Sequence, residues 1–270
     1  MPSKEGKTYS SYYKNGPQIR QTNNVGVDST TRVLEDGAGN STSISLSDDV
    51  LSVQPVTDNT VATLLCKTQS GSNVLAVDTE NSLVLCGSSQ VNALTQYAYF
   101  SASLMDFGIA GHHYAIPFQS SHSFTSAHSI QEISMGSDAN PDETFDVSAS
   151  AFNSDLVLPN YWYIVDAITV KSVHIVVGGS AASATDNINF HLMKYDFDTG
   201  GGTGDLSGGI VVADQDGTIS DVHEDAIQYK SLTVDTSNNT VSAGQVILCT
   251  VESTGTTEIS CTVTVKFNIN

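Results

Sequence analysis

Four histidines crowd one short stretch of the chain, His112, His113, His122 and His128, with Asp106 just ahead of them. Imidazoles with a carboxylate are a familiar ligand set for a divalent transition metal. The spacing argues against such a site. Neighbours on a strand point to opposite faces, so His112 and His113 diverge. His122 and His128 have no rigid frame around them that would hold them to one ion. Polar or interface histidines are the expectation, and no metal ligand is assigned.

The acidic loops raise calcium as a second chemistry. Asp214, Asp216 and Asp225 stand at the first, third and twelfth places of an EF-hand count. The sixth place needs glycine for its turn and holds Ile219, and the twelfth holds Asp instead of Glu. Asp196, Asp198 and Asp205 around Gly200, Gly201 and Gly202 could cradle a hard cation through carboxylates and backbone oxygens, but a solvated loop between strands is the stronger expectation. No GxSxG elbow, P-loop or HExxH is present. An enzyme is not expected, and no cofactor is assigned.

One aromatic concentration remains, Tyr161, Trp162 and Tyr163, directly after Pro159 and Asn160. Alternation into Ile164 and Val165 makes Trp162 a core plug at a strand start. Tyr161 and Tyr163 are then half-exposed, the candidates for stacking on a glycan or a protein receptor.

The elements that must position these residues are strands. Ser43 to Ser47 alternates with period two; Val61 to Cys66, Asn73 to Val77 and Ser82 to Cys86 follow, and NVLAVDTENSLVL reads as one hairpin. Residues 31–91 make a thin layer with few large side chains, which buries too little surface to stand alone. Association, most simply around a three-fold axis, would supply the missing core and cover its edges. The expectation for this stretch is a trimeric β-meander stem.

Residues 92–143 join the stem to a distal domain, with a turn-rich loop at MGSDANPDE. Leu94 to Met105 fits a strand or one or two helical turns equally. Strand candidates are Tyr114–Phe118, Thr144–Ala149, Tyr163–Val177, Asn187–Tyr195, Gly209–Ala213, Ile227–Val234, Gln245–Glu252 and Glu258–Phe267. That number suits an antiparallel β-sandwich of jelly-roll type over residues 144–270, its first strand at 114–118. Ile188, Phe190 and Leu192 mark one strand's inner face, as do Val263, Val265 and Phe267. Asn189, His191, Thr264 and Lys266 take the outer face.

Charge divides the chain in the same direction. Its 270 residues carry 29 acidic against 10 basic side chains, a formal net charge of −19. Five of the ten basic residues, Lys4, Lys7, Lys14, Arg20 and Arg32, precede position 33, and none lies between Thr68 and Val170. The acidic body repels nucleic acid and anionic membranes, and no apolar run of about 18 residues provides a span. Residues 1–30 are polar, lack a secretory pattern and read as an extended arm that is disordered or held by a partner. Its docking residues are Lys4, Lys7, Tyr9, Tyr12, Tyr13, Lys14 and Arg20. Cys249 and Cys261 flank a turn symmetrically and could face one another across a hairpin. The stronger expectation for all four cysteines is small buried apolar side chains.

The phrases TRVLEDGAGNSTSISLSDDVLSV and NTVATLLCKTQSGSNVLAVDTENSLV resemble the N-terminal parts of structural proteins of tailed bacteriophages from aquatic bacteria. VHIVVGG, NFHLMKYDFDTG and GDLSGGIVVA resemble the distal β-sandwich of the same fibre-like or capsid-decoration-like proteins. The resemblance implies an all-β homotrimeric virion component of capsid surface or tail, assembled in the host cytoplasm. Its N-terminal arm would dock on capsid or tail proteins of the particle. The alternative reading is that the distal domain binds a host glycan or receptor. A polysaccharide-degrading enzyme is the weaker alternative.

Overall fold

The computed structural model describes residues 17–20, 26–87, 91–105, 107–119, 133–146, 158–182, 186–198, 206–215, 218–220, 222–255 and 258–270. The chain divides into two units, Met1–Ala93 and Leu94–Asn270.

The first unit holds two antiparallel meanders. One runs β1 (Gln18–Ile19), β2 (Arg32–Glu35), β3 (Ser41–Leu46) and β4 (Leu51–Val53), and the other β5 (Leu64–Lys67), β6 (Asn73–Asp78), β7 (Leu83–Cys86) and β8 (Val91–Asn92), each in chain order. The turns are built by aspartates. Asp78 accepts from the backbone amides of Glu80 and Asn81 and from the Asn81 side chain at 2.9–3.0 Å, which closes the β6–β7 hairpin read from the sequence. Asp36 does the same with Ala38 and Asn40 ahead of β3. These donors hold both carboxyls below the ordinary range, the Asn side chain contributing most.

Gln18 and Ile19 pair with Glu35 and Leu34 of β2, so this part of residues 1–30 is ordered by its own chain. The Gln18 amide also reaches Glu35 and the Asp36 carbonyl.

The second unit is built from β9 (Thr95–Met105), β10 (His113–Ile116), β11 (Trp162–Tyr163), β12 (Ile168–Gly179), β13 (Ile188–Phe197), β14 (Leu206–Asp214), β15 (Ile227–Val234), β16 (Thr240–Val241), β17 (Gln245–Ser253) and β18 (Ile259–Ile269). Two four-stranded layers run β9-β18-β12-β15 and β10-β17-β13-β14, joined where β14 meets β15. A bridge between Phe100 and Phe118 nearly closes the other side. Numbered in chain order, the eight long strands read 1-8-3-6 and 2-7-4-5, the interleaving of a jelly roll.

Eight long strands match the expected number, with the two-residue β11 and β16 added, but membership differs. Leu94–Met105, open between helix and strand in the sequence, supplies β9, because Phe100 and Ala102 point inward and Tyr97 and Tyr99 outward. In the expected Thr144–Ala149 strand, Phe145 makes only an isolated bridge to Leu206, and 147–149 lie outside the described residues.

Inward residues of both layers form the main core, among them Val173, Ile175 and Val177 of β12, Phe190 and Leu192 of β13, Val251 of β17, and Val263 and Val265 of β18. Cys249 and Cys261 join it as free thiols from opposite layers. β17 and β18 are not paired strands, so no hairpin sets these cysteines face to face. Burial raises both thiol pKa values, that of Cys261 to about 12.

A second core lies on the outer face of the β10-β17-β13-β14 layer. A strap, residues 133–146, crosses it. The strap pairs with β10 through Ser134 and Tyr114 and with Leu206 through Phe145. Ile133, Met135 and Phe145 of the strap cover Ala115, Met193, Tyr195, Leu206, Val246 and Leu248. Gly209 lets it pass: a Cβ there would stand 2.8 Å from the Glu143 Cα and 2.5 Å from the Tyr195 ring.

Candidate functional site

The strap buries polar groups together with the second core. Register places His113, Glu252 and Asn189 in one row across β10, β17 and β13, and Ala115, Thr250, His191 and Asp214 in the next row. All these side chains share the strap-covered face, because residues two apart on a strand point the same way. His113 is 0% exposed and His191 4%. Their rings meet edge to face with centroids 4.9 Å apart. One ligand-capable atom from each of His113, His191 and Glu252 lies within 4.8 Å of the other two.

Each ring has one nitrogen near an acceptor. His113 Nε2 is 2.7 Å from the backbone oxygen of Asp138 in the strap. His191 Nδ1 is 2.9 Å from Asp214 Oδ1, close enough for charge contact although the ring N–H is not aligned with the carboxylate. The remaining nitrogens, His113 Nδ1 and His191 Nε2, are buried without a hydrogen-bond partner, as is Thr250 Oγ1. Burial pulls the His191 pKa below its ordinary value against the opposing pull of Asp214, which favours the neutral ring.

Sequence reasoning missed His191 and Glu252, having placed His191 on an outer face. The outer face is indeed where it lies, but the strap covers that face. The signal was present: outward Met193 and Tyr195 follow His191, and β17 is apolar on both faces, with Val246 and Leu248 outward and Ile247, Cys249 and Val251 inward.

The other candidate residues are scattered. His112 bonds Ser134 Oγ through Nδ1 at 2.9 Å and stacks on Tyr114. Asp106, His122, His128, Asp205 and Asp216 lie outside the described residues, as do Lys4, Lys7, Tyr9, Tyr12, Tyr13 and Lys14 of the arm. Arg20 follows β1 and stands 3.8 Å from Glu35. Asp196 accepts from the Gln245 side chain at 2.8 Å. Trp162 stacks on Phe118 with centroids 5.4 Å apart and meets Phe100 and Phe267 edge-on. Tyr161 and Tyr163 contact Phe197 at 6.3 and 6.0 Å, Tyr161 packed on the second core and Tyr163 exposed.

The outer face of the opposite layer shows a different chemistry. Tyr97, Tyr99, Val176 and Tyr229 stand exposed there. Around His174, Ser172 Oγ lies 3.0 Å from Nε2, and Tyr229 and Ser231 hydroxyls lie 2.8 and 3.0 Å from Nδ1. A serine beside a histidine resembles part of a hydrolase triad. Here hydroxyls replace the orienting carboxylate, and the surrounding strand amides are engaged in sheet pairing. A cavity of about 500 Å³ elsewhere, lined by Asn140, Val211, Asp214, Gln215, Thr233 and Asp235, offers amides, carboxylates and one hydroxyl with no histidine base beside it in the lining. No catalytic motif is identified among the described residues.

No protein-family model and no curated protein matches the chain. Among solved structures it is similar to a chain of the infectious bursal disease virus Gx strain structure, at 10% identity and a TM-score of 0.27. The match covers 73% of this chain, which spans 64% of that one. A likeness this slight carries no argument, and the jelly roll rests on its own strand order.

Proposed function

We propose that the protein is a non-enzymatic structural component of a bacteriophage particle, a short fibre or surface decoration that works as a homotrimer. The observation carrying this reading is the N-terminal unit. Among its described residues Ala76 is the one buried hydrophobic side chain, while Leu51, Leu64, Leu65, Val74 and Val84 are exposed. Apolar strands in that state call for a partner surface, and further copies of the same meanders supply one of matching shape. The jelly roll supports the reading as an architecture used in viral capsid domains, though equally in lectins and cupins. In this account residues 1–30 dock on capsid or tail proteins through Lys4, Lys7, Tyr9, Tyr12, Tyr13, Lys14 and Arg20, and residues 94–270 face outward.

The test is incorporation. Particles assembled with the full chain should carry it, whereas a chain lacking residues 1–30 should remain in the soluble fraction. Normal incorporation of the shortened chain would remove the docking role.

A second reading, that the distal domain binds a host glycan or receptor, is favoured by its exposed tyrosines. Tyr163 stands at one edge, and Tyr97, Tyr99 and Tyr229 on the outer sheet face. Saturable binding of the trimer to host envelope polysaccharide should weaken in Tyr163→Ala. Absence of binding by the intact trimer would end that reading.

A further inference from the structure

The tautomers of the two buried histidines follow from their neighbours. A backbone carbonyl only accepts, so His113 Nε2 at 2.7 Å from the Asp138 oxygen carries the proton. A neutral His113 then presents a lone pair at Nδ1, which is buried and unpartnered. The Asp214 carboxylate, 2.9 Å from His191 Nδ1 though not aligned for a hydrogen bond, favours the proton on that nitrogen by charge alone, leaving a second buried lone pair at Nε2. Two acceptors cannot bond one another, and the third group beside them, Glu252, offers a carboxylate. Three electron donors gathered under a strap, with neither free imidazole nitrogen reached by a hydrogen-bond donor, not even the nearby Thr250 hydroxyl, have the complementarity of a cation site.

We propose that His113 Nδ1, His191 Nε2 and the Glu252 carboxylate bind one divalent transition metal ion of the zinc class. Two imidazoles and one carboxylate favour zinc over calcium or magnesium, which take oxygen ligands. The Asp138 carbonyl accepts from the outer ring nitrogen of His113 and the Asp214 carboxylate lies beside that of His191, the kind of supporting contact that orients histidine ligands at metal sites. Tetrahedral zinc at about 2.0–2.1 Å from nitrogen sets its ligands roughly 3.3 Å apart. One ligand-capable atom from each side chain lies within 4.8 Å of the other two, so the three draw together slightly on binding. The ion would tie β10, β13 and β17 together, and the Asp138 contact would carry that tie to the strap. This site lies within the jelly roll and does not depend on the assembly role.

Full-length protein with Cys66→Ser and Cys86→Ser, which removes the two exposed thiols, is stripped with chelator and titrated with zinc sulfate by calorimetry. Thermal melting is followed in parallel. The expected result is one zinc per chain and a melting midpoint that rises with zinc concentration. His191→Ala should abolish uptake. Asp214→Asn, a change at a solvent-facing side chain that keeps the fold, should weaken zinc about 10–100-fold. Glu252→Gln should weaken it as well. No uptake by the parent protein would overturn the proposal. Unchanged affinity in folded Asp214→Asn and Glu252→Gln would overturn it too, placing the ion elsewhere.

Discussion

Strand β5 (Leu64–Lys67) and strand β17 (Gln245–Ser253) carry similar apolar residues and a cysteine each, and they meet opposite fates. Every residue of β5 is exposed, whereas β17 is buried along most of its length on both faces. β17 has an opposing sheet on one side and the strap on the other. Among the described residues of its own unit β5 has no such layer. Burial therefore depends on what the chain supplies above and below a strand, more than on the strand's own composition. The jelly roll completes itself. On the assembly reading, the meanders are completed by other copies.

The largest test of this contrast replaces one apolar residue in each unit, buried in the jelly roll and exposed in β5. Phe190→Ala should cost the jelly roll about 3–5 kcal/mol in urea unfolding, the range for deleting a buried aromatic. Leu65→Ala should cost the dissociated chain under about 1 kcal/mol, as an exposed change does, yet weaken association. Equal losses in the dissociated chain would erase the distinction. Next comes Gly209→Ala, where the added methyl meets strap backbone and the Tyr195 ring. About 1–3 kcal/mol of destabilisation is expected from overpacking, and a neutral result would mean the strap is not held against β14.

Thiol labelling gives a smaller, graded readout. Cys66 and Cys86 are exposed, and Cys249 and Cys261 are buried with raised pKa values. Two thiols should label quickly in dilute native protein and two only after unfolding. The fast pair should slow as protein concentration drives association; concentration-independent rates would argue that β5 and β7 stay uncovered. The smallest effect concerns Asp28, whose carboxyl accepts both Arg32 guanidinium nitrogens at 2.6 and 2.9 Å. That pair and the Thr30 amide lower its pKa from 3.8 to about 2. The folded value lies below the unfolded one, so the contact stabilises fully above about pH 4 and is lost as pH falls toward 2. In an NMR titration Arg32→Gln should move Asp28 back toward 3.8, and an unmoved midpoint would rule out Arg32 as the cause.

Much of the distal fold was readable because period-two patterning marks strands that bury one face. Ile227–Val234 falls on its expected bounds, and the 187–195, 245–252 and 258–267 strands shift by at most a few residues at their ends. What patterning does not encode is which strands become neighbours. The Cys249–Cys261 stretch looked like a hairpin because its turn is symmetric, yet in a jelly roll it crosses between layers. The His113, His191 and Glu252 cluster was hidden for the same reason. Its members come from three strands separated by about 60 to 140 positions, and only the register of β10, β17 and β13 brings them together. Of the strap, the sequence shows a turn-rich loop over Met135–Glu143 and a strand from Thr144, since MGSDANPDE displays its turns but not the face it covers.

The central claim, that this chain completes its N-terminal unit with copies of itself, is tested most directly by the molar mass of the full-length protein in solution. Light scattering after size exclusion at micromolar concentration should give three times the 28.5 kDa chain mass. A single-chain mass of 28.5 kDa at that concentration would contradict it.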